Sequence, residues 1–276
     1  MKKIIVTCML LVFIGVMNAT AQKNTFTHEV GDYEVILIVE GINPVKTNNF
    51  IGARSEVLEK YFPENYYMGI NAYLIKMGDK NILVDTGVGR NVVNNLMSIG
   101  VEPEDIDMLV LTHLHGDHIG GMTVDKKAVF PNAIVYVSDK EFRHWDSKNN
   151  LDALKPYSDR LKVVTPEKLN RKKEDGIYFI EAYGHTPGHM MCLVKSGRKQ
   201  LLICGDLLHV IPVQIPHPEI SLVYDMSPAF AVSTRRAVLE YVSKNKIPIA
   251  GMHIPYPGMG TVKKSKDTYK FKFLKK

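Results

Sequence analysis

Four side chains that commonly bind metal ions lie close together near the middle of the chain. They are His113, His115, Asp117 and His118, all within residues 111–121. Residues i and i+2 of an extended loop face the same way, so His113 and His115 can bind one ion. Asp117 and His118 lie beyond the turn at Gly116 and can bind a second ion. Imidazoles with a carboxylate and no thiolate suit zinc, and suit iron or manganese less exclusively.

A histidine-rich surface loop is the alternative explanation for this segment. The apolar run at residues 108–111 argues against it, because such a run is typical of a short buried strand. Gly116 and Gly120 then mark a turn and the entry to a helix. Three histidines and an aspartate, placed directly after a buried strand, favour a metal site.

Three more residues of the same types follow later strand-like runs. They are His189, Asp206 and His253. A Pro-Gly turn can fix the position of His189, and Gly205 allows close backbone approach before Asp206. Each alone is equally consistent with a structural role, but the whole set supplies five histidines and two aspartates. His185 and Thr186 are interpreted as residues that orient the ligands, or simply as turn structure.

The first 21 residues have the pattern of a secretory signal peptide. Lys2 and Lys3 precede an apolar run at residues 4–16, and Ala19-Thr20-Ala21 is a small-residue cleavage site. The apolar run is short for a membrane span of ~20 residues. We therefore expect export to the periplasm or the medium, without stable membrane insertion after cleavage. Residues 22–276 are predicted to form a single domain.

The charge distribution does not indicate a nucleic-acid partner. The formal charge of +6 falls to +4 when Lys2 and Lys3 are removed with the signal peptide. Much of the remaining excess lies in the basic C-terminal segment, which a solvated edge explains. Since no nucleic-acid-binding motif accompanies it, we expect no nucleic acid to bind.

Cys192 and Cys204 remain after cleavage of the signal peptide, on either side of a turn at Ser196-Gly197. They face each other across a hairpin in one register, and lie on opposite faces of it if the register shifts by one residue. An exported protein permits a disulfide. Two buried thiols are the interpretation that we favour.

The predicted strands come in two groups, each followed by helices, and both groups end in candidate ligands. This order predicts two sheets packed face to face with helices outside, and a site along one edge. Ser138 and Glu141 have the spacing of a helix N-terminal capping box. Residues 146–175 are polar and irregular, and are interpreted as a flap.

The motif His113-x-His115-x-Asp117-His118, followed by His189, Asp206 and His253, resembles the metallo-β-lactamase superfamily. Asp85-Thr86-Gly87 also matches, and we interpret Asp85 as a residue that braces the site. The resemblance implies an α/β fold, the four-layer αβ/βα sandwich, with two divalent metal ions. It implies that His113, His115 and His189 hold one ion. It implies that Asp117, His118 and His253 hold the other, and that Asp206 bridges both. Zinc is the favoured metal, with iron, manganese and cobalt as alternatives.

Residues 205–210, 216–219 and 253–258 look like the branch that holds methyl parathion hydrolase and quorum-quenching N-acyl-homoserine lactonases. The smaller lactonases of that branch carry a tyrosine three residues after the bridging aspartate, where this chain has His209. That difference favours the parathion-hydrolase-like members. Homodimers are common in the branch, which keeps a homodimer open here, although no segment of the sequence identifies an interface.

The function implied by the resemblance is hydrolysis of a small lactone or ester. In our hypothesis, a hydroxide bridging two ions ~3.5–4 Å apart attacks the carbonyl, and a metal stabilises the oxyanion. Asp117 and His209 are the candidate acids that protonate the leaving group. Phe142, Trp145 and Tyr256 are candidates for the pocket wall.

Four other functions compete with this hypothesis. Organophosphate or aryl ester hydrolysis, as in methyl parathion hydrolase, is the nearest alternative. A β-lactamase is less consistent, because that branch has cysteine or histidine where this chain has Asp206. A glyoxalase II role fits poorly with export. A scaffold that binds metal without catalysis fits poorly with a complete ligand set.

Overall fold

The structure is a computed structural model that describes residues 24–169 and 174–275. The predicted signal peptide, residues 1–21, lies outside the described residues. Within the two described ranges, no helix combines the length and the apolar character needed to cross a membrane.

Strands and short helices alternate along the chain. The strands are β1 (Thr25–Val30), β2 (Tyr33–Pro44), β3 (Phe50–Ile51), β4 (Tyr67–Met77), β5 (Lys80–Val84), β6 (Met108–Val110), β7 (Thr123–Val124), β8 (Lys127–Ala128), β9 (Ile134–Ser138), β10 (Leu161–Val164), β11 (Gly176–Glu181), β12 (Met190–Ser196), β13 (Lys199–Ile203), β14 (Ser221–Leu222), β15 (Ile249–Ala250), β16 (Met259–Ser265) and β17 (Thr268–Phe273). The α-helices are α1 (Ser55–Tyr61), α2 (Val92–Met97), α3 (Gly116–Ile119), α4 (Asp139–Asp146), α5 (Ile211–Gln214) and α6 (Pro228–Asn245).

Two large sheets form the frame of the molecule. One has seven strands in the order β1-β2-β4-β5-β6-β9-β10, and the other has six in the order β11-β12-β13-β15-β16-β17. In the first sheet β5, β6 and β9 are parallel, and in the second β13 and β15 are parallel. Parallel strands bring their carboxyl ends to one edge, so the loops after them lie together.

The core is divided into layers by the two sheets. Along β2, Leu37 faces the layer between the sheets, whereas Ile36 and Ile38 face a second layer that includes residues of α2. A third layer lies between the second sheet and α6, where Leu202 packs with Leu239. Strands covered on both faces need apolar residues at consecutive positions, as β2 has. This arrangement confirms the predicted αβ/βα sandwich.

The register of the β12–β13 hairpin separates the two cysteines. Cys192 pairs with Ile203, so the following residue, Cys204, points to the opposite face of the sheet. Cys192 accordingly lies in the layer between the sheets, and Cys204 lies in the layer against α6. Both are buried free thiols, which confirms the interpretation favoured from the sequence.

The interpretation of residues 146–175 as a flap is wrong for part of this stretch. Residues Asp152–Arg160 form a 3-10 helix whose Leu154 and Tyr157 are buried in the core. The next residues form β10, which pairs in parallel with β9 as the edge strand of the first sheet. The polar residues of the 3-10 helix, among them Asp152, Lys155 and Asp159, are exposed on the side away from the core.

Candidate metal centre

The first candidate ligands lie in the loop after β6 and in the short helix that follows it. His113 and His115 occupy the loop, and α3 begins at Gly116 and carries Asp117 and His118. The His118 carbonyl accepts hydrogen bonds from the backbone N–H and the hydroxyl of Thr86. This loop is therefore fixed to the end of β5.

The second sheet supplies the remaining residues of the centre from the same edge. His185 follows β11, Asp206 follows β13 and His253 follows β15. Because β11 and β13 each run antiparallel to β12, they share one direction, which β15 also takes. The candidate site thus lies where the carboxyl ends of strands from both sheets meet.

Three imidazoles converge on one side of the site. The Nε2 atom of His113 lies 3.0 Å from Nδ1 of His115, and Nε2 of His185 lies 3.2 Å and 3.0 Å from those two atoms. These three residues and Asp206 form a group able to hold a cation. Ring nitrogens this close to one another, facing a common point, have the arrangement of metal ligands.

Asp117, His118 and His253 form a second such group. The Nε2 atom of His118 lies 3.7 Å from Oδ1 of Asp117, and Nε2 of His253 lies 3.6 Å from Oδ2 of the same carboxylate. Two imidazoles with a carboxylate can hold a divalent cation without any thiolate.

Asp206 lies between the two groups, and it forms a third group of possible ligands with His209 and His253. Its Oδ2 atom is 3.1 Å from Nε2 of His185 and 3.0 Å from Nε2 of His253, and its Oδ1 atom is 3.2 Å from Nε2 of His118. Among the described residues, neither Asp206 Oδ1 nor His118 Nε2 has a hydrogen-bond partner, although both atoms are buried. Buried polar atoms normally have partners, so these residues fit a bound cation.

Two of the imidazoles are oriented by contacts on their far side. The Nδ1 atom of His118 lies 2.7 Å from Oδ2 of Asp85, a carboxylate that also accepts from the Thr112 hydroxyl. The Nδ1 atom of His253 donates to the carbonyl of Gly69 at 2.8 Å. Each contact leaves Nε2 free to face the centre, as is usual for metal-binding histidines. The interpretation of Asp85 as a brace agrees with this geometry.

The structure corrects the placement of His189, because His185 and not His189 lies in the first ligand group. The Nδ1 atom of His189 donates to the Ala182 carbonyl, and its Nε2 atom accepts from the backbone N–H of Asp206 at 3.1 Å. Both ring nitrogens are therefore engaged with the backbone. The two histidines flank the same Pro-Gly turn, so spacing alone gives no basis for choosing between them.

Matched glutamine substitutions distinguish the two histidines. We expect His185→Gln to lower the metal content of the purified protein, because it removes an imidazole from the first group. We expect His189→Gln to retain the wild-type content, because a side-chain amide can still accept from the Asp206 N–H. Elemental analysis of both variants checks this. Loss of metal from the His189 variant alone would restore the original assignment.

A cavity of about 480 Å³ opens onto the cluster. Besides the candidate ligands, it is lined by His209 and by four residues that the sequence analysis did not single out, namely Asn43, Met68, Tyr224 and Met226. They come from distant segments, and no local pattern marks them. Asp117 and His209, the predicted acids, both face this cavity.

The predicted wall residues Phe142, Trp145 and Tyr256 do not line this cavity, and the structure corrects that prediction. Phe142 and Trp145 pack against the core layer next to the first sheet. The Trp145 indole donates to Glu141, and Tyr256 packs on Phe26 with ring centroids 6.2 Å apart. Apolar packing accounts for Phe142 and Tyr256, whereas Trp145 also lies edge-on to the candidate ligand His115, with ring centroids 5.9 Å apart.

Burial sets the protonation state of much of the centre. It lowers the pKa of His115 and of His209 to about 4 in the metal-free protein, so both are neutral at pH 7. Burial alone would raise the pKa of Asp206, but the charges of His118, His253 and His185 hold it well below its usual range. Burial would lower the pKa of His185, but the Asp206 and Asp225 carboxylates raise it to about 9. Since a histidine binds metal through a deprotonated ring nitrogen, His185 must release a proton when a metal binds.

Comparison with known proteins identifies the family. Residues 66–246 match the family described as "Metallo-beta-lactamase superfamily", and this segment carries the first candidate ligands through Asp206. The chain belongs to the metallo-beta-lactamase superfamily. The chain carries a cluster of histidine and aspartate side chains able to hold cations.

Solved structures and curated proteins that are similar to this chain include hydrolases and lactonases. A hydrolase named AbOPH, in the beta lactamase superfamily, is 30% identical with a TM-score of 0.82, covering 92% of this chain and 99% of that one. AidC, a dizinc quorum-quenching lactonase, is 25% identical with a TM-score of 0.80, covering 91% and 99%. An N-acyl homoserine lactonase of Bacillus sp is 27% identical over 157 residues, 45% of this chain and 57% of that protein. The chain thus spans somewhat more than half the length of this curated relative.

Proposed function

We propose that this protein is an exported hydrolase with two metal ions that opens lactones or cleaves related esters of small molecules. The position of Asp206, within 3.2 Å of ring nitrogens from both ligand groups, is the observation that carries the proposal. The likeness to AidC and to the Bacillus lactonase supports a lactone substrate.

The two ligand groups divide the binding of metal between them. His113, His115 and His185 would hold one ion, Asp117, His118 and His253 would hold the other, and Asp206 would contact both. Two divalent ions, with zinc favoured, supply Lewis acidity and a water molecule of lowered pKa.

The remaining residues of the cavity would contact the substrate and transfer a proton to its leaving group. Met68 and Met226 offer apolar contact, and Asn43 offers a hydrogen bond to a polar substrate group. His209 is 1% exposed, and its Nε2 atom lies 3.2 Å from Asp206 Oδ2. Because His209 is neutral at pH 7, His209 or Asp117 would first take up a proton from the attacking water and then deliver it to a leaving oxygen.

His209→Phe tests the proton-transfer role. We expect turnover to fall by about 100-fold or more, the usual loss when a general acid is removed. Phenylalanine keeps the ring and its packing, so the metal content should remain at the wild-type value. Steady-state kinetics with elemental analysis measure both. Loss of metal from this variant would instead make His209 a ligand.

Organophosphate or aryl ester hydrolysis is the second candidate function. His209 carries it, because it stands where the smaller acyl-homoserine lactonases that the sequence resembles have tyrosine. Proton release by the metal-loaded protein should be followed with an acyl-homoserine lactone, an aryl ester and an aryl phosphotriester. Fast lactone opening supports the first candidate, and selective cleavage of the phosphotriester or aryl ester supports the second. No turnover of any of the three with metal bound would contradict both.

A further inference from the structure

A buried arginine lies behind the first ligand group. Arg235, in the interior of α6, has an exposed fraction of 0%. Its guanidinium donates to the carbonyl of Leu207 at 2.8 Å and to those of Pro218 and Ile220 at 3.1 Å and 2.9 Å. A buried charge is retained at a cost unless it is paired and hydrogen-bonded, and Arg235 is both. Through Leu207 it holds the residue that directly follows Asp206.

Asp225 connects this arginine to the candidate ligand His185. Oδ2 of Asp225 lies 3.4 Å from Nη2 of Arg235, and it also accepts a hydrogen bond from the Ser221 hydroxyl. Oδ1 lies 3.0 Å from Nδ1 of His185. The carboxylate can accept the Nδ1 proton, so Nε2, which faces His113, His115 and Asp206, is the nitrogen that would lose its proton to a metal.

We propose that Asp225 and Arg235 are positioning residues that set the metal affinity of the His113, His115 and His185 group. This inference rests on the proposed metal-dependent function. Asp225 fixes the tautomer and orientation of His185, and Arg235 fixes Asp225. Carboxylates behind metal-binding histidines typically change metal affinity by about 10–100-fold.

The hydrogen bonds of Asp225 determine what Asp225→Asn does. Three donors, from Arg235, Ser221 and the Leu222 N–H, face Oδ2, so the amide oxygen of asparagine takes that place. The amide NH₂ then faces Nδ1 of His185 and donates to it. His185 must carry its proton on Nε2, the nitrogen that would bind the metal. The substitution thus reverses the tautomer while preserving side-chain size.

Asp85 supplies a matched comparison, since it braces His118 in the other group through a contact of 2.7 Å. Two parent variants, each with one ligand group disrupted, allow the metal affinity of the other group to be measured alone. His253→Ala leaves the group with His185 complete, and His115→Ala leaves the group with His118 complete. Asp225→Asn and Asp85→Asn are introduced into each background, and Co²⁺ affinity is measured by competition with a chelator, together with the Co²⁺ absorption spectrum.

In the His253→Ala background, we expect Asp225→Asn to weaken Co²⁺ binding about 10–100-fold and to change the Co²⁺ absorption spectrum. In the His115→Ala background, we expect it to change Co²⁺ affinity by less than about twofold. Asp85→Asn should show the opposite pattern. Arg235→Met should resemble Asp225→Asn, whereas Arg236→Met, at a neighbouring side chain that is 58% exposed, should bind as the wild type does.

Equal effects of Asp225→Asn in both backgrounds, or none in either, would overturn the inference. If Arg235→Met does not fold, Asp225→Asn alone decides the result. If the wild type binds two Co²⁺ ions and Asp225→Asn does not change the Co²⁺ affinity, only the positioning role is refuted. A wild-type protein that binds no Co²⁺ refutes the proposed function and this inference with it.

Discussion

Asp206→Ala removes both the bound metal and the hydrolytic activity of the protein. Asp206 is the carboxylate that contacts imidazoles of both groups, at 3.0–3.2 Å, and alanine leaves those ring nitrogens without it. We expect metal affinity and turnover each to fall by more than about 100-fold, beyond the range seen for residues behind the ligands. Elemental analysis and initial rates measure the two losses.

The control for Asp206→Ala is the same substitution at Asp159, whose side chain is 74% exposed. Asp159→Ala should keep the wild-type metal content and rate. An Asp206→Ala protein that retains its metal and full activity would contradict the central role of this residue.

Glu141→Ala lowers the free energy of unfolding by about 3–5 kcal/mol, because it leaves several donors unpaired and each buried unpaired donor costs about 1–3 kcal/mol. Glu141 is 0% exposed, and its carboxylate accepts from four donors. These are the Leu114 N–H, the Trp145 indole, the Thr186 hydroxyl and the Gly188 N–H. Alanine leaves three buried donors and the half-buried Trp145 indole unpaired, and releases the loops of His113 and His185 from each other.

Urea unfolding of the metal-free protein measures the effect of Glu141→Ala without the contribution of bound metal. Glu141→Gln retains one acceptor oxygen and should lose less stability. Glu104→Ala, at an exposed glutamate, should change the unfolding free energy by less than about 0.5 kcal/mol. A loss below about 1 kcal/mol for Glu141→Ala would show that these hydrogen bonds are replaced by water.

The features predictable from sequence were those that depend on local pattern. Residues 113–118 are close in the chain, so their grouping follows from spacing. The Ser138 cap also forms, since the Ser138 hydroxyl accepts from the Glu141 N–H. The Glu141 side chain, in contrast, reaches the loops of the centre, because burial against them offers it more donors than the helix end does.

The features that the sequence did not show depend on contacts between distant segments. Asp225 lies 40 residues from His185 and is brought to it by tertiary contacts, among them the hydrogen bond from the Met226 N–H to the His185 carbonyl. The choice between His185 and His189 depends on which imidazole the backbone of Asp206 engages, which requires the closed fold. Met68 and Met226 meet at the cavity for the same reason.

The metal content of the purified protein tests the central claim most directly. Elemental analysis of the wild-type chain, before and after dialysis against a chelator, should find about two divalent ions per chain at the start. Hydrolytic activity should fall in parallel with metal removal and return when Zn²⁺ is restored. Fewer than one tightly bound ion per chain, or full activity after the metal has been removed, would contradict the account.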